Sequence, residues 1–268
     1  MPRDEPAPDP GLDLALLHAL RPRTARSDAQ ALAAITESIV AHLHRHDGYL
    51  AFSGGKDSLV VLDLVRRVAP DVPVVFFDSG LEYPETYDYV GHLAREWSLD
   101  LHRIPAELPL LEVLVSSGLW DHRGSHPTVL PDLHAVLIGN IARQAHILFG
   151  PGELWGVRAD ESVGRRAMYT RDGRGDGIVE RLDGTVAYGP IWNWNTADVW
   201  SYIHRNELPV NAVYAKLASL GVPEQSQRVS HIIDGNHLQY GRLTWLQRGW
   251  PTLFEQLAHA LPRIRQMT

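Results

Sequence analysis

Apolar positions first recur at helical spacing. Across residues 27–46, Ala31, Ile35, Ile39 and Leu43 share one face, and Ser27 or Asp28 stands where a cap belongs. The period then changes. Residues 49–53, Tyr-Leu-Ala-Phe-Ser, read as a buried strand, followed by a Gly-Gly turn and a helix over 58–68. The alternation continues with a strand over 72–77 ending at Asp78, a helix opened by Pro84 and running to 97, and a strand over 99–104. Next come a helix over 108–117, a polar loop at 121–128, a helix over 132–149, and a strand over 154–157 that leads into Arg158. The Gly, Asp and Arg stretch at 171–177 predicts a mobile loop. The runs 178–182 and 186–188, joined by Asp183-Gly184, predict a hairpin. Thr196 caps a helix to 204, and the pattern from 222 onward predicts helix, ending in 243–261. Strands that alternate with helices in this way predict a doubly wound α/β fold on a mostly parallel sheet, with a helical C-terminal extension.

This reading divides the chain into a flexible N-terminal arm (1–26), an α/β domain (27–221) and the extension (222–268). The arm opens acidic and Pro-rich, without the basic-then-apolar order of a signal peptide. No apolar run approaches the roughly 18 residues that span a bilayer, so a cytoplasmic protein without a membrane partner is expected. Net charge is −7, which gives no global attraction to nucleic acid. From Trp200 onward, seven Lys or Arg face four Asp or Glu, a mild bias that a solvated surface explains. Cysteine is absent, which excludes a catalytic thiol, a thiolate zinc site or a cysteine-ligated iron–sulfur cluster on this sequence. Lysine occurs only at 56 and 216, against 23 arginines. A lysine kept in an Arg-writing sequence marks a place for a compact point charge.

Lys56 lies in Ser53-Gly54-Gly55-Lys56-Asp57-Ser58, where a strand enters a tight turn and leaves as a helix. Unpaired N–H groups at such a turn, reinforced by the helix dipole, make an anion site. Glycines let backbone approach phosphate, Lys56 adds a cation, Ser53 and Ser58 add hydroxyls, and Asp57 is a candidate ligand for Mg²⁺. The spacing is not that of the Gly-x4-Gly-Lys-Ser/Thr loop. Other clusters are weaker. His122, His126 and His134, with Asp121 and Asp132, could gather a metal, but their loop lacks ligand spacing, and a polar wall or cap is the better reading. His42, His44 and His46 read as a solvated helix face. Trp192, Trp194 and Trp200 read as core more readily than as a base-stacking platform.

The Ser53–Ser58 hexapeptide resembles the PP-loop of the N-type ATP pyrophosphatase superfamily. Four later stretches resemble its phosphoadenylylsulfate reductase branch. They are Asp78-Ser79-Gly80 with Pro84-Glu85-Thr86, Gly156 to Arg165 in the pattern G-x-R-x-x-E-S-x-x-R, Pro190-Ile-Trp192 with Asp198-Val-Trp200, and Leu208-Pro209-Val-Asn211-Ala-Val-Tyr214. The resemblance implies a sheet of the adenine nucleotide α-hydrolase type and binding of ATP, or a related adenine nucleotide, with Mg²⁺. It places Ser53, Gly54, Gly55, Lys56, Asp57 and Ser58 on the phosphates. Asp78, Ser79 and Gly80 would line the nucleotide pocket. Arg158 and Arg165 would grip a phosphate or sulfate-like group on the acceptor side, and Glu161 would orient one of them. Lys56, Asp57, Arg158 and Arg165 are then the candidate catalytic residues.

The reductases place cysteines after the Leu-Pro-x-Asn element, and a C-terminal cysteine is their nucleophile; none is present here. Thiol-dependent reduction is therefore not expected. What remains is adenylyl transfer with release of pyrophosphate, in a sulfur-linked or nucleic-acid-modification pathway. Two alternatives stay open: a non-catalytic nucleotide-binding subunit, and a sulfate adenylyltransferase-like small subunit with a GTPase partner. A protein partner carrying the acceptor, nucleic acid and a homodimer are all compatible with the sequence.

Overall fold

The computed structural model describes residues 29–118, 132–171, 173–230, 232, 242–266 and 268. Helix α1 (Ala29–Arg45) leads into strand β1 (Gly48–Ala51), whose end turns directly into α2 (Lys56–Arg66). Strand β2 (Val74–Asp78), α3 (Pro84–Glu96), β3 (Leu101–Pro105) and α4 (Leu110–Ser116) follow. A π-helical turn (Ala135–Gly139) runs into α5 (Asn140–Phe149), and β4 (Gly152–Leu154) comes next. After a 3₁₀ turn (Ala159–Glu161) the chain forms α6 (Val163–Thr170), the hairpin β5 (Ile178–Glu180) and β6 (Val186–Tyr188), then α7 (Thr196–Arg205) and α8 (Ala212–Ser219). The last helices are α9 (Arg242–Gly249) and α10 (Pro251–Ala260).

The strands form one sheet in the order β3-β2-β1-β4-β6-β5. Every neighbouring pair is parallel except β5 with β6. The architecture is the expected doubly wound, mostly parallel α/β sheet. Successive connections run outward from β1 to β2 and β3, while β4 pairs with the other side of β1. The crevice at the carboxyl ends of β1 and β4 is thus the topological switch point, where such sheets bind ligands. One-residue shifts in register would invert a half-buried strand. Here both faces are covered, so β2 can be a continuous Val-Val-Phe-Phe run.

Helix α2 is almost wholly buried from Lys56 to Val65, because it lies beneath α1 and against α7. Its one interior carboxylate, Asp63, is neutralised by Arg66 (2.6 Å) and Arg67 (2.9 Å) and accepts from the Tyr202 hydroxyl (2.7 Å). The C-terminal helices are not a separate body: Leu243, Leu246, Phe254, Leu257 and Ile264 share the core cluster of Leu59, Phe76 and Trp194.

Several local expectations are corrected. Helix α6 and helix α8 were not read from the sequence. α6 is amphipathic but short, nucleated by Ser162, whose side chain accepts from Arg165 N (3.1 Å). The N-cap of α7 is Asn195 rather than Thr196, in a reciprocal box with Asp198. The region after 222 is not continuous helix: residues 224–226 make one 3₁₀ turn, and Trp250-Pro251 separates α9 from α10. His42 is buried against Tyr188 (5.5 Å between ring centroids) rather than solvated, and burial, then His46, lowers its pKa to about 4. Trp194 and Trp200 are core, as expected, while Trp192 packs on Tyr169 (5.4 Å). Of the histidine cluster, His122 and His126 lie outside the described residues. His134 is exposed, and Asp132 caps the π-helical turn through Ala135 N (3.0 Å).

Candidate functional site

The loop between β1 and α2 sits at the switch point. Gly54 adopts φ +74°, a conformation that glycine reaches without steric cost. It turns the chain so that the first N–H groups of α2 face the crevice. The serines close the loop on itself: Ser58 Oγ donates to Gly55 O (3.0 Å), accepts from Ser53 N (3.3 Å) and lies 3.1 Å from Ser53 Oγ. The hydroxyl of Ser58 therefore shapes the turn more than it faces outward. Gly156, in the segment after β4, runs under the helix start. A Cβ there would lie 2.5 Å from Ser58 N, so only glycine permits this approach.

The charges form a line. Lys56 Nζ reaches Asp57 Oδ2 (2.8 Å), and Asp57 Oδ1 accepts from Arg158 Nε (2.6 Å). Arg158 continues to Trp194 O (3.0 Å) and Thr196 Oγ1 (3.4 Å). Two cations thus share the Asp57 carboxylate at a helix N-terminus, and Arg158 also lies 3.9 Å from the half-exposed Asp160. Burial alone would lower the Lys56 pKa; Tyr214 and then Asp57 outweigh it and hold it above its ordinary value. Lys56 stays an ammonium at neutral pH.

This arrangement changes two assignments. Arg158 does not offer its fork to a ligand: its side chain is 2% exposed and all three guanidinium nitrogens have protein acceptors. Its geometry is that of a residue that positions Asp57. Asp57 in turn has both oxygens committed to Lys56 and Arg158. Among the described residues, no three His, Cys, Asp or Glu side chains gather as a metal-holding group. To hold Mg²⁺ beside bound phosphates, Asp57 would have to release Lys56 or Arg158 from one of its oxygens. Arg165, in contrast, is nearly half-exposed and pairs only with Glu161, whose other contact is Arg158 N (3.0 Å). The carboxylate half of that pair is largely buried and the guanidinium half is solvated, so of the two arginines Arg165 is the one within reach of a ligand.

On the other side of the switch, Asp78 ends β2 and is buried. It accepts from Gly80 N (2.9 Å), Tyr87 (2.7 Å) and Arg103 (2.6 Å). Ser79 Oγ donates to the buried Glu82 (2.7 Å). Asp78 and Ser79 therefore brace the turn after β2, and Gly80, at φ +75°, is the exposed member of the trio.

Asn211 and Tyr214 also reach this loop. Asn211 Nδ2 donates to Thr86 Oγ1 (3.0 Å) and to Gly54 O (3.4 Å), and Thr86 Oγ1 donates to Val229 O (2.7 Å). One amide thus ties the 53–58 loop to α3 and, through Thr86, to the chain after α8. The Tyr214 hydroxyl accepts from Lys56 N (3.0 Å), 158 residues away. Both residues stood in the Leu-Pro-x-Asn-x-x-Tyr motif; a polar side chain amid apolar neighbours was the available signal.

The elements converging here, residues 48–127 and 144–227, match the phosphoadenosine phosphosulfate reductase domain. The chain belongs to that family. It is 28% identical over 211 residues to the adenosine 5'-phosphosulfate reductase of Geobacillus kaustophilus, covering 74% of this chain and 79% of that one. It is 26% identical over 170 residues to the enzyme of the same name from Halalkalibacterium halodurans, covering 62% and 68% respectively. Among solved structures it resembles the phosphoadenylyl-sulfate reductase of Candida auris in a phosphate complex, with 22% identity, a TM-score of 0.49, and coverage of 72% and 92%. Membership accounts for the order of the motifs along the chain. No described helix is long and apolar enough to cross a membrane.

Proposed function

We propose that this family member is an enzyme that binds ATP on the 53–58 loop, cleaves its α–β phosphate bond and adenylylates an acceptor. An acceptor oxygen would bond to the α-phosphorus as the bond to the β-phosphate oxygen breaks, and the electron pair would leave on pyrophosphate. The acceptor's proton passes to solvent. The observation that carries this reading is the loop end itself: the Lys56 ammonium stands in the first turn of α2, where the helix N-terminus adds positive potential beside the Gly54-Gly55 turn. A cation and backbone donors gathered there favour a leaving group with several negative charges over a single phosphoryl. The 268 residues contain no thiol, so the reduction named for the relatives is not open to this sequence alone. Arg165 is the cation free to meet the acceptor side. The protein partner, nucleic-acid and sulfur-linked settings of the acceptor belong to the same proposal.

The test is chromatography of products from ATP, screened against sulfate, nucleic acids and small carboxylates. AMP or an adenylylated product with pyrophosphate is expected. Accumulation of ADP and orthophosphate would mean β–γ cleavage and would overturn the mechanism.

A further inference from the structure

Tyr214 is 4% exposed, and its hydroxyl oxygen lies at the start of α2. There it accepts the Lys56 N–H at 3.0 Å. The oxygen stands 3.4 Å from the point where a Cβ on Gly55 would be, and Ser53 Oγ stands at the same distance from that point. The ring is fixed from behind by Trp200, edge to face, at 5.6 Å between centroids. Burial, opposed by Lys56 and reinforced by Asp57, raises the hydroxyl pKa, so the group keeps its proton.

A tyrosine hydroxyl can accept and also donate one hydrogen bond. The accepting half is used by Lys56 N. Among the described residues, no oxygen or nitrogen takes the hydrogen. A buried polar hydrogen left without an acceptor costs free energy, and such hydrogens are rare unless a ligand completes them. This one lies beside Ser53 Oγ and Lys56 N at the start of α2, and an anion is the acceptor that this setting favours.

We infer that Tyr214 is a phosphate-contact residue: its hydroxyl relays the Lys56 backbone N–H outward and donates its own hydrogen to an oxygen of the bound pyrophosphoryl group. This rests on the reading of the 53–58 loop as the phosphate site and adds a member to it. The relay has a physical advantage. A hydroxyl that accepts one hydrogen bond is polarised into a stronger donor, so the helix N-terminus reaches further into the crevice than its own N–H groups could.

The experiment measures inorganic pyrophosphate and ATP binding by calorimetry on the full chain, for the parent protein, Tyr214→Phe and Lys56→Ala. Losing one hydrogen bond to a charged group should weaken pyrophosphate binding roughly 10- to 100-fold in Tyr214→Phe, with adenosine binding unchanged. Affinity within about twofold of the parent in Tyr214→Phe, alongside a loss in Lys56→Ala, would overturn the role of Tyr214 and leave the loop reading intact. Unchanged affinity in both variants would overturn both.

A series of fluorinated tyrosines at 214 separates donation from loop shaping, and it stands even if Tyr214→Phe fails to fold. A more acidic phenol donates better and accepts worse. Affinity rising with acidity is the expected result. Affinity falling with acidity would mean that the hydroxyl only holds Lys56 N, and the inference would be wrong.

Discussion

Two ammonium groups in this chain, on Lys56 and Lys216, each meet a carboxylate at 2.8 Å and an aromatic ring. Helix α8 contributes to both places, with Tyr214 beside the first and Lys216 itself in the second. Lys216 pairs with Glu85 and lies over the Trp250 ring at 4.3 Å, and Trp250 Nε1 donates to the same carboxylate (2.7 Å). That cluster is electrically closed, one cation to one anion, and it clasps α10 and α8 to α3. Around Lys56 the carboxylate is divided between two cations, and the ring's hydroxyl hydrogen has no acceptor in the described protein. Exposure differs too: the Lys56 side chain is 9% exposed and that of Lys216 38%. Burial and the sharing of Asp57 with Arg158, more than residue type, separate the two lysines.

The largest effect should come from breaking the shared carboxylate. Arg158→Gln removes the buried guanidinium that Asp57 Oδ1, Trp194 O and Thr196 Oγ1 share, and unfolding in denaturant should show a loss of about 3 kcal/mol. Lys216→Gln, at a half-exposed pair, should cost at most about 1 kcal/mol. Equal losses would erase the distinction drawn between the two clusters.

Ligand binding should separate them next. Lys56→Ala removes a charge-assisted contact of about 1.5–3 kcal/mol, which corresponds to roughly 10- to 150-fold weaker ATP binding. Lys216→Ala should leave that affinity within about twofold. Calorimetry in which the two variants behave alike would remove the 53–58 loop from the phosphate site.

The smallest effect is a pH dependence of the clasp. Burial alone would raise the Glu85 pKa, but hydrogen bonds from Lys216 and Trp250 bring it below the usual carboxylate value. A carboxylate depressed in the folded state contributes stability above its unfolded pKa, about 4.3, and loses it as pH falls through the folded value. Glu85→Gln should therefore flatten the acid limb of a melting-temperature profile below about pH 4.3 and leave neutral pH little changed beyond the lost pair. A steeper acid limb in the variant would contradict the assignment.

Much of the architecture was legible because it rests on local rules. Strand–turn–helix alternation, the Gly-Gly turn and Pro84 at a helix start each act within a few residues, and all three appear where they were read. Helices α6 and α8 were missed for the opposite reason. At eight residues each, they are too short for a full apolar period, and capping by Ser162 and by Asn211 decides them. His42 was misread because α1 looks solvated along three histidines until Tyr188 covers one of them.

The sequence by itself determined that a Gly-Gly turn follows the first strand and opens a helix, that a lysine stands in it, and that no thiol chemistry is available to these residues. Those are properties of single segments and of composition. Tertiary structure alone decided what each charged side chain does. Asp57 and Arg158 are 101 residues apart, and Lys56 and Tyr214 are 158 apart. No periodicity reports such separations. Only when β4 packs beside β1, and α8 folds back over α2, does Arg158 become a buried brace and Tyr214 a hydroxyl at the helix start. A side chain's chemistry depends on desolvation and on what lies within about 4 Å of it, and both are set by the fold.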